Sequence, residues 1–160
     1  MLNIENPFTK IKQKRGAIVK PIMEFNIIIH PEEITRMETP SGKVTVIPFS
    51  GNVESELFTG TIRPGAADVQ VTNAAGIRHM NAKYIFEGKD KNGKDCYLFV
   101  DNNGYFEPNS EPSPFHAYPT FMSDSPFLAD ILERSSFRAE GHPAKEGVTI
   151  KIFNVLEKAN

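Results

Sequence analysis

At 160 residues, 39% of them hydrophobic and 24% charged, the chain can build one well-cored domain and is too short for two comfortable ones. A formal charge of −2 and a pI near 6.1 argue against nucleic acid or an anionic membrane as partner, and no apolar run reaches the length of a membrane span. A single cysteine, Cys96, excludes an intrachain disulfide and makes a reducing compartment, the cytoplasm, the expected setting.

Residues 1–16 are polar and mixed and carry a basic run, Lys10, Lys12, Lys14 and Arg15; they read as a flexible leader ahead of one domain over 17–160. From there the chain is a succession of short, β-branched runs. These predict strands at Val19–His30, Val44–Ser50, Glu54–Arg63, Asp68–Asn73, Ile77–Glu87, Asp95–Asp101, Phe115–Met122, Ser135–Gly141 and Val148–Glu157. Turn chemistry falls between them, at Pro40-Ser41-Gly42, Ser50-Gly51-Asn52, Pro64-Gly65, Ala75-Gly76, Lys91-Asn92-Gly93, Asn102-Asn103-Gly104 and Glu146-Gly147. The two Asn-Gly pairs are the strongest hairpin signals. One segment argues for helix, Pro126–Arg134: Ser125 can cap it, Pro126 suits its first turn, and Phe127, Leu128, Ile131 and Leu132 recur at helical spacing. The Pro-rich stretch 107–119 reads as an extended loop able to cover an opening. Antiparallel strands with a single helix point to an all-β closed barrel or a sandwich; long strands in simple succession favour an antiparallel barrel of about eight to ten strands.

At the corner after the third run the residues become specific. Phe58-Thr59-Gly60, Arg63-Pro64-Gly65-Ala66-Ala67-Asp68-Val69-Gln70, Gly76 and Asn81-Ala82-Lys83-Tyr84 follow one another in an order that resembles a microbial family of small barrel proteins, the domain of unknown function DUF3237. Asn102-Asn103-Gly104 and the strand Val148–Leu156 fit the same outline, so the resemblance spans roughly residues 19–157. It implies a lipocalin-like, or calycin-like, β-barrel whose members share no settled activity. The chain departs from the family in having no Trp, and in carrying Asn81 and Lys83 where an Asp and an Arg are more typical.

Strand alternation places Asp68, Gln70 and Thr72 on one face and Val69 and Val71 on the other. In the next strand His79, Asn81, Lys83, Ile85 and Glu87 oppose Met80, Ala82, Tyr84 and Phe86. Register across the Asn73–Gly76 turn decides whether the two polar sets meet. Either they are solvated and the apolar faces make the core, or Asp68, Gln70, Asn81 and Lys83 line a wet interior. Alternation alone favours the first arrangement, and the resemblance brings the second level with it. The second predicts a small, partly apolar organic ligand oriented by Arg63, Asp68, Gln70, Asn81 and Lys83. Asp68 with Lys83 could equally be a buried ion pair that only holds the fold.

A competing reading is a cofactor-independent isomerase, cyclase or hydrolase with Asp68 as general base and Lys83 or His79 as acid. No cofactor is expected: there is no βαβ pattern for a dinucleotide, no histidine pair at metal-ligand spacing and no nucleophile elbow. Cys96 lies in a strand-like run, where a thiol packs as a small hydrophobe. A protein-interaction module using an exposed strand edge is a third reading. The apolar runs Phe25–Ile29 and Phe121–Leu132 exceed what a small barrel with a polar interior buries, and predict a homodimer.

Overall fold

Ten antiparallel strands and one helix make up the computed structural model, which describes residues 20–155. The expected leader and its basic run lie outside the described residues. In chain order the elements are β1 (Met23–Ile29), β2 (Thr35–Thr39), β3 (Gly42–Glu54), β4 (Phe58–Ile62), β5 (Ala67–Thr72), β6 (Arg78–Asp90), β7 (Asp95–Phe106), β8 (Phe115–Ser123), α1 (Pro126–Leu132), β9 (Phe137–Ala144) and β10 (Gly147–Asn154). One sheet contains all ten strands, and because β1 pairs with both β10 and β3 it closes on itself. The result is a closed antiparallel barrel with eight strand positions, β4 and β5 sharing the one between β3 and β6 and β1 and β2 the one on the other edge of β3. Among the described residues no helix is long and apolar enough to cross a membrane.

The core follows the two-residue period of the strands. Along β1 the buried positions are Met23, Phe25 and Ile27; along β6 they are Met80, Ala82, Tyr84, Phe86 and Asp90; along β7 they are Cys96, Leu98, Val100, Asn102, Gly104 and Phe106. Phe25, Phe86 and Phe58 cross at steep angles, with centroids 4.8 Å apart for the first pair and 6.2 Å for the second. Such contacts fill space where three strands converge. The predicted helix is present beside β8: the Ser125 hydroxyl accepts from Leu128 N–H, and Leu128 and Leu132 are buried in the core.

Closure depends on β3 changing partners along its length. One edge pairs first with β2 and then with β1, the other first with β5 and then with β4. The switch falls near Gly51, where a Cβ would stand 2.0 Å from the Asn26 carbonyl oxygen. Only glycine lets β1 come that close. Ser50-Gly51-Asn52 is therefore strand interior and not the turn that its composition suggested. The run Glu54–Arg63 divides instead at Ser55, whose hydroxyl binds both the N–H and the carbonyl of Phe58.

Asn102-Asn103-Gly104 is likewise strand and not a hairpin. β6 and β7 pair without interruption from Arg78↔Phe106 to Lys89↔Asp95, and the Asn103 side chain is held by Asp101, Asn81 and His79. The other Asn-Gly pair does turn, with Gly93 at φ +78°. β2 went unpredicted because all five of its residues are exposed, so no buried alternation marks it. The apolar runs in β1 and around α1 turn inward, with Phe25, Ile27, Phe121, Leu128 and Leu132 all buried. The large apolar side chains left in solvent lie mostly on the outer face of β5 to β8, among them Val71, Ile85, Tyr105 and Tyr118.

Candidate functional site

The site grows out of the β5–β6 hairpin. Asn73 organises its loop: the side-chain oxygen accepts from the N–H groups of Ala75 and Ile77, and Gly76 takes φ +82°. That loop sets Thr72 opposite Arg78, Gln70 opposite Met80 and Asp68 opposite Ala82. Asp68 and Gln70 thus share the inner face with Met80, Ala82 and Tyr84. The register continues across the wall, pairing Ile47 with Asp68 on one side and Ala82 with Asn102 on the other. Four neighbouring strands therefore place Ile47, Asp68, Ala82 and Asn102 in one row.

Ala82 is the smallest side chain in that row, and space opens over its methyl group. The cavity measures about 130 Å³. Its walls are Ile27, Ile47 and Phe49 from β1 and β3, Met80 from β6, and Phe115 and Ile150 from β8 and β10, and its polar groups are Asp68, Gln70, Asn102 and Tyr84. It lies at the end of the barrel away from α1, on the side of the Pro-rich loop. Arg78 ties that loop down: its guanidinium donates to both carboxylate oxygens of Glu111 at 3.3 and 3.5 Å, reaches Gln70 Oε1 at 3.5 Å, and rests 4.6 Å over the Phe106 ring.

Two of the four polar groups carry a buried acceptor without a partner. Gln70 Nε2 donates to Asp68 Oδ2 at 2.8 Å, but Asp68 Oδ1 is buried with no partner. Asn102 is 3% exposed, and its Oδ1 is also buried without a partner. Native structures rarely leave such groups orphaned, and each one asks for an explanation. Burial raises the Asp68 pKa above the ordinary carboxylate value; the Gln70 hydrogen bond and the positive charge of Arg78 oppose the rise without cancelling it. The Tyr84 hydroxyl is pushed up by burial and then by the nearby Asp68 charge, so it stays protonated. A carboxyl, two amides and a phenol facing one apolar space can orient a molecule through several hydrogen bonds.

The barrel wall separates the five residues that the sequence grouped. Asp68 and Gln70 face the cavity, while Asn81 and Lys83 belong to the outer phase of β6. Asn81 donates to Asp101 Oδ1 at 2.8 Å and Asn103 Oδ1 at 2.9 Å, in a network that also holds His79, itself stacked on Tyr105. Lys83 is exposed and shares an outer crevice with Arg63, Ile85 and Tyr97. Arg63 is ion-paired to Glu87 at 3.2 Å. An Asp68–Lys83 ion pair does not form, because the two side chains leave opposite sides of the wall. Asn102 and Tyr84 were the cavity residues that sequence reading passed over. The signal for both was present: Asn102 continues the inward phase of Cys96, Leu98 and Val100, and Tyr84 that of Met80 and Ala82. Cys96 is buried on the same inner face, where burial raises its thiol pKa, as expected of a packed thiol.

Comparison with known proteins places this barrel among others like it. A conserved protein of unknown function from Rhodopseudomonas palustris superposes with a TM-score of 0.68 at 24% identity, covering 86% of this chain and 97% of its own. A protein of unknown function from Clostridium acetobutylicum gives 0.67 at 22%, covering 85% and 97%. A β-barrel-like protein from Acinetobacter baumannii gives 0.65 at 16%, covering 85% and 94%. At these identities the likeness carries the fold. No curated protein matches the sequence. The family model for proteins of unknown function, DUF3237, matches residues 18–155, which take in the whole described barrel. The chain belongs to the DUF3237 family.

Proposed function

We propose that the protein binds a small, partly apolar organic molecule inside the barrel, over Ala82. The observation that carries this reading is the pair of unpartnered acceptors, Asp68 Oδ1 and Asn102 Oδ1, in one row of an otherwise aliphatic and aromatic cavity. Burying polar atoms without partners costs about 1–3 kcal/mol each, a cost that a packed apolar row would avoid. An apolar pocket with a few convergent polar groups is what small-ligand sites use. A cavity near 130 Å³ suits a molecule of about one ring, since an apolar cavity of roughly 150 Å³ holds benzene.

Binding is favoured over catalysis by what surrounds Asp68. Lys83 and His79, the acid partners suggested by the sequence, stand on the outer phase of β6, and the titratable group that shares the cavity, Tyr84, is held protonated. The test is a thermal-shift and NMR screen of ring-sized organic molecules. Hits should perturb the Ala82 methyl resonance, and Ala82→Leu, which fills the space, should abolish them while circular dichroism stays that of the wild type. Lys83→Ala should leave them unchanged. Hits that survive intact in a folded Ala82→Leu protein would place binding elsewhere.

A further inference from the structure

The two orphaned oxygens say more than that something fits. Both are acceptors: a carboxylate oxygen carries no hydrogen when ionised, and an amide oxygen never does. Gln70 Nε2 donates to Asp68 and the Arg78 guanidinium to Glu111 and Gln70, which leaves the Tyr84 hydroxyl and the Asn102 amide nitrogen as the donors of the cavity beside these two acceptors. The cavity therefore presents unmet acceptors above an apolar floor. Asp68 and Asn102 flank Ala82 from the two adjacent strands, so strand spacing alone puts their Cα atoms about 10 Å apart.

We infer that the ligand is a ring-sized, uncharged or cationic molecule carrying at least two hydrogen-bond donors, one for Asp68 and one for Asn102, on an apolar body that lies across Ala82. This rests on the binding reading above and narrows it to a chemical class: hydroxylated or amino-substituted rings, ahead of ethers, hydrocarbons and carboxylates of similar size. Water in the free protein can supply donors to both oxygens, so an incoming molecule must replace those bonds or lose affinity. An ether or a hydrocarbon of the same shape cannot. A carboxylate would in addition meet the Asp68 charge in a low-dielectric space.

Isosteric probes make the test. Affinities of toluene, m-xylene, phenol, resorcinol, 1,3-dimethoxybenzene and benzoate are measured by NMR titration of the wild-type protein. Each donor should strengthen binding about tenfold, as expected for a net gain near 1.4 kcal/mol per bond to a buried acceptor. The expected order is resorcinol ahead of phenol ahead of toluene, with dimethoxybenzene and benzoate weakest. In Asn102→Leu, resorcinol should fall to the level of phenol while toluene binds as before. If toluene and m-xylene bind as tightly as phenol and resorcinol, the donor requirement is wrong although the cavity still binds. If no probe perturbs the cavity, both readings fall together. Should Asn102→Leu not fold, the wild-type series decides alone.

Discussion

Each end of the barrel turns an aspartate inward, and the two are treated oppositely. Asp90, at the α1 end, is fully engaged: the Ser125 hydroxyl donates to its Oδ2 at 2.7 Å, and the N–H groups of Asn92 and Lys94 donate to its Oδ1. The Ser125 hydrogen bond leads in lowering its pKa below the usual carboxylate value. Asp68, at the open end, has one oxygen satisfied and one orphaned, and its burial raises the pKa. Around Asp90 the interior is packed with Phe58, Phe86, Leu98 and Leu128; around Asp68 it is hollow. The same residue type has both oxygens hydrogen-bonded where the interior is packed, and keeps one unpartnered where it is hollow.

The sharpest way to probe that contrast is to hollow the packed end. Phe86→Ala removes a fully buried ring and should cost about 3–5 kcal/mol in denaturant unfolding, the range for large-to-small changes in a well-packed core. A loss near 1 kcal/mol would mean that this end is no better packed than the other. Next in size, Asp90→Ala should lower Tm at neutral pH by freeing both the hairpin N–H groups and Ser125. Because the folded-state pKa of Asp90 is depressed, its stabilisation is present above the unfolded value near 4 and is lost as pH falls through the folded one. The Tm gap between wild type and variant should therefore close in acid; a pH-independent gap would deny the carboxylate its role.

The smallest effect has the opposite sign. The folded-state pKa of Asp68 is raised, so stability declines as pH climbs from its unfolded value through the folded one, and that loss is felt at neutral pH. Asp68→Asn should raise Tm slightly at neutral pH and lose that advantage near and below pH 4. A variant less stable than wild type at pH 7 would show that Asp68 is a structural group like Asp90. A stabilising change at a residue that faces a cavity is the usual mark of a site kept for function.

The sequence disclosed the barrel more fully than the cavity, for reasons visible at single residues. Ser125-Pro126 announced α1 because capping is local chemistry, and Asn92-Gly93 announced a hairpin because the chain is free to reverse there. Asn103-Gly104 has the same dipeptide but sits between two long partners, and pairing outweighed the turn preference. The polar faces of β5 and β6 were both read correctly, yet which face looks inward depends on the Asn73–Gly76 loop. Its register matches Asp68 with Ala82 and leaves Asn81 outside. One residue of slip would exchange every side chain on β6 between cavity and solvent. Asn102 was hidden by its turn-like neighbours, although its phase along β7 pointed inward.

The Phe115 ring forms one wall of the cavity, and it rests on Gly141, its partner on β9. A Cβ at that glycine would meet the ring at 2.1 Å, so even a single methyl group would drive the phenyl off its seat. The absent side chain is what holds the wall back. The capacity of the chamber is thus adjusted from behind its lining, by a residue that does not itself line it, and related barrels could be resized for larger or smaller guests without altering any group that grips them.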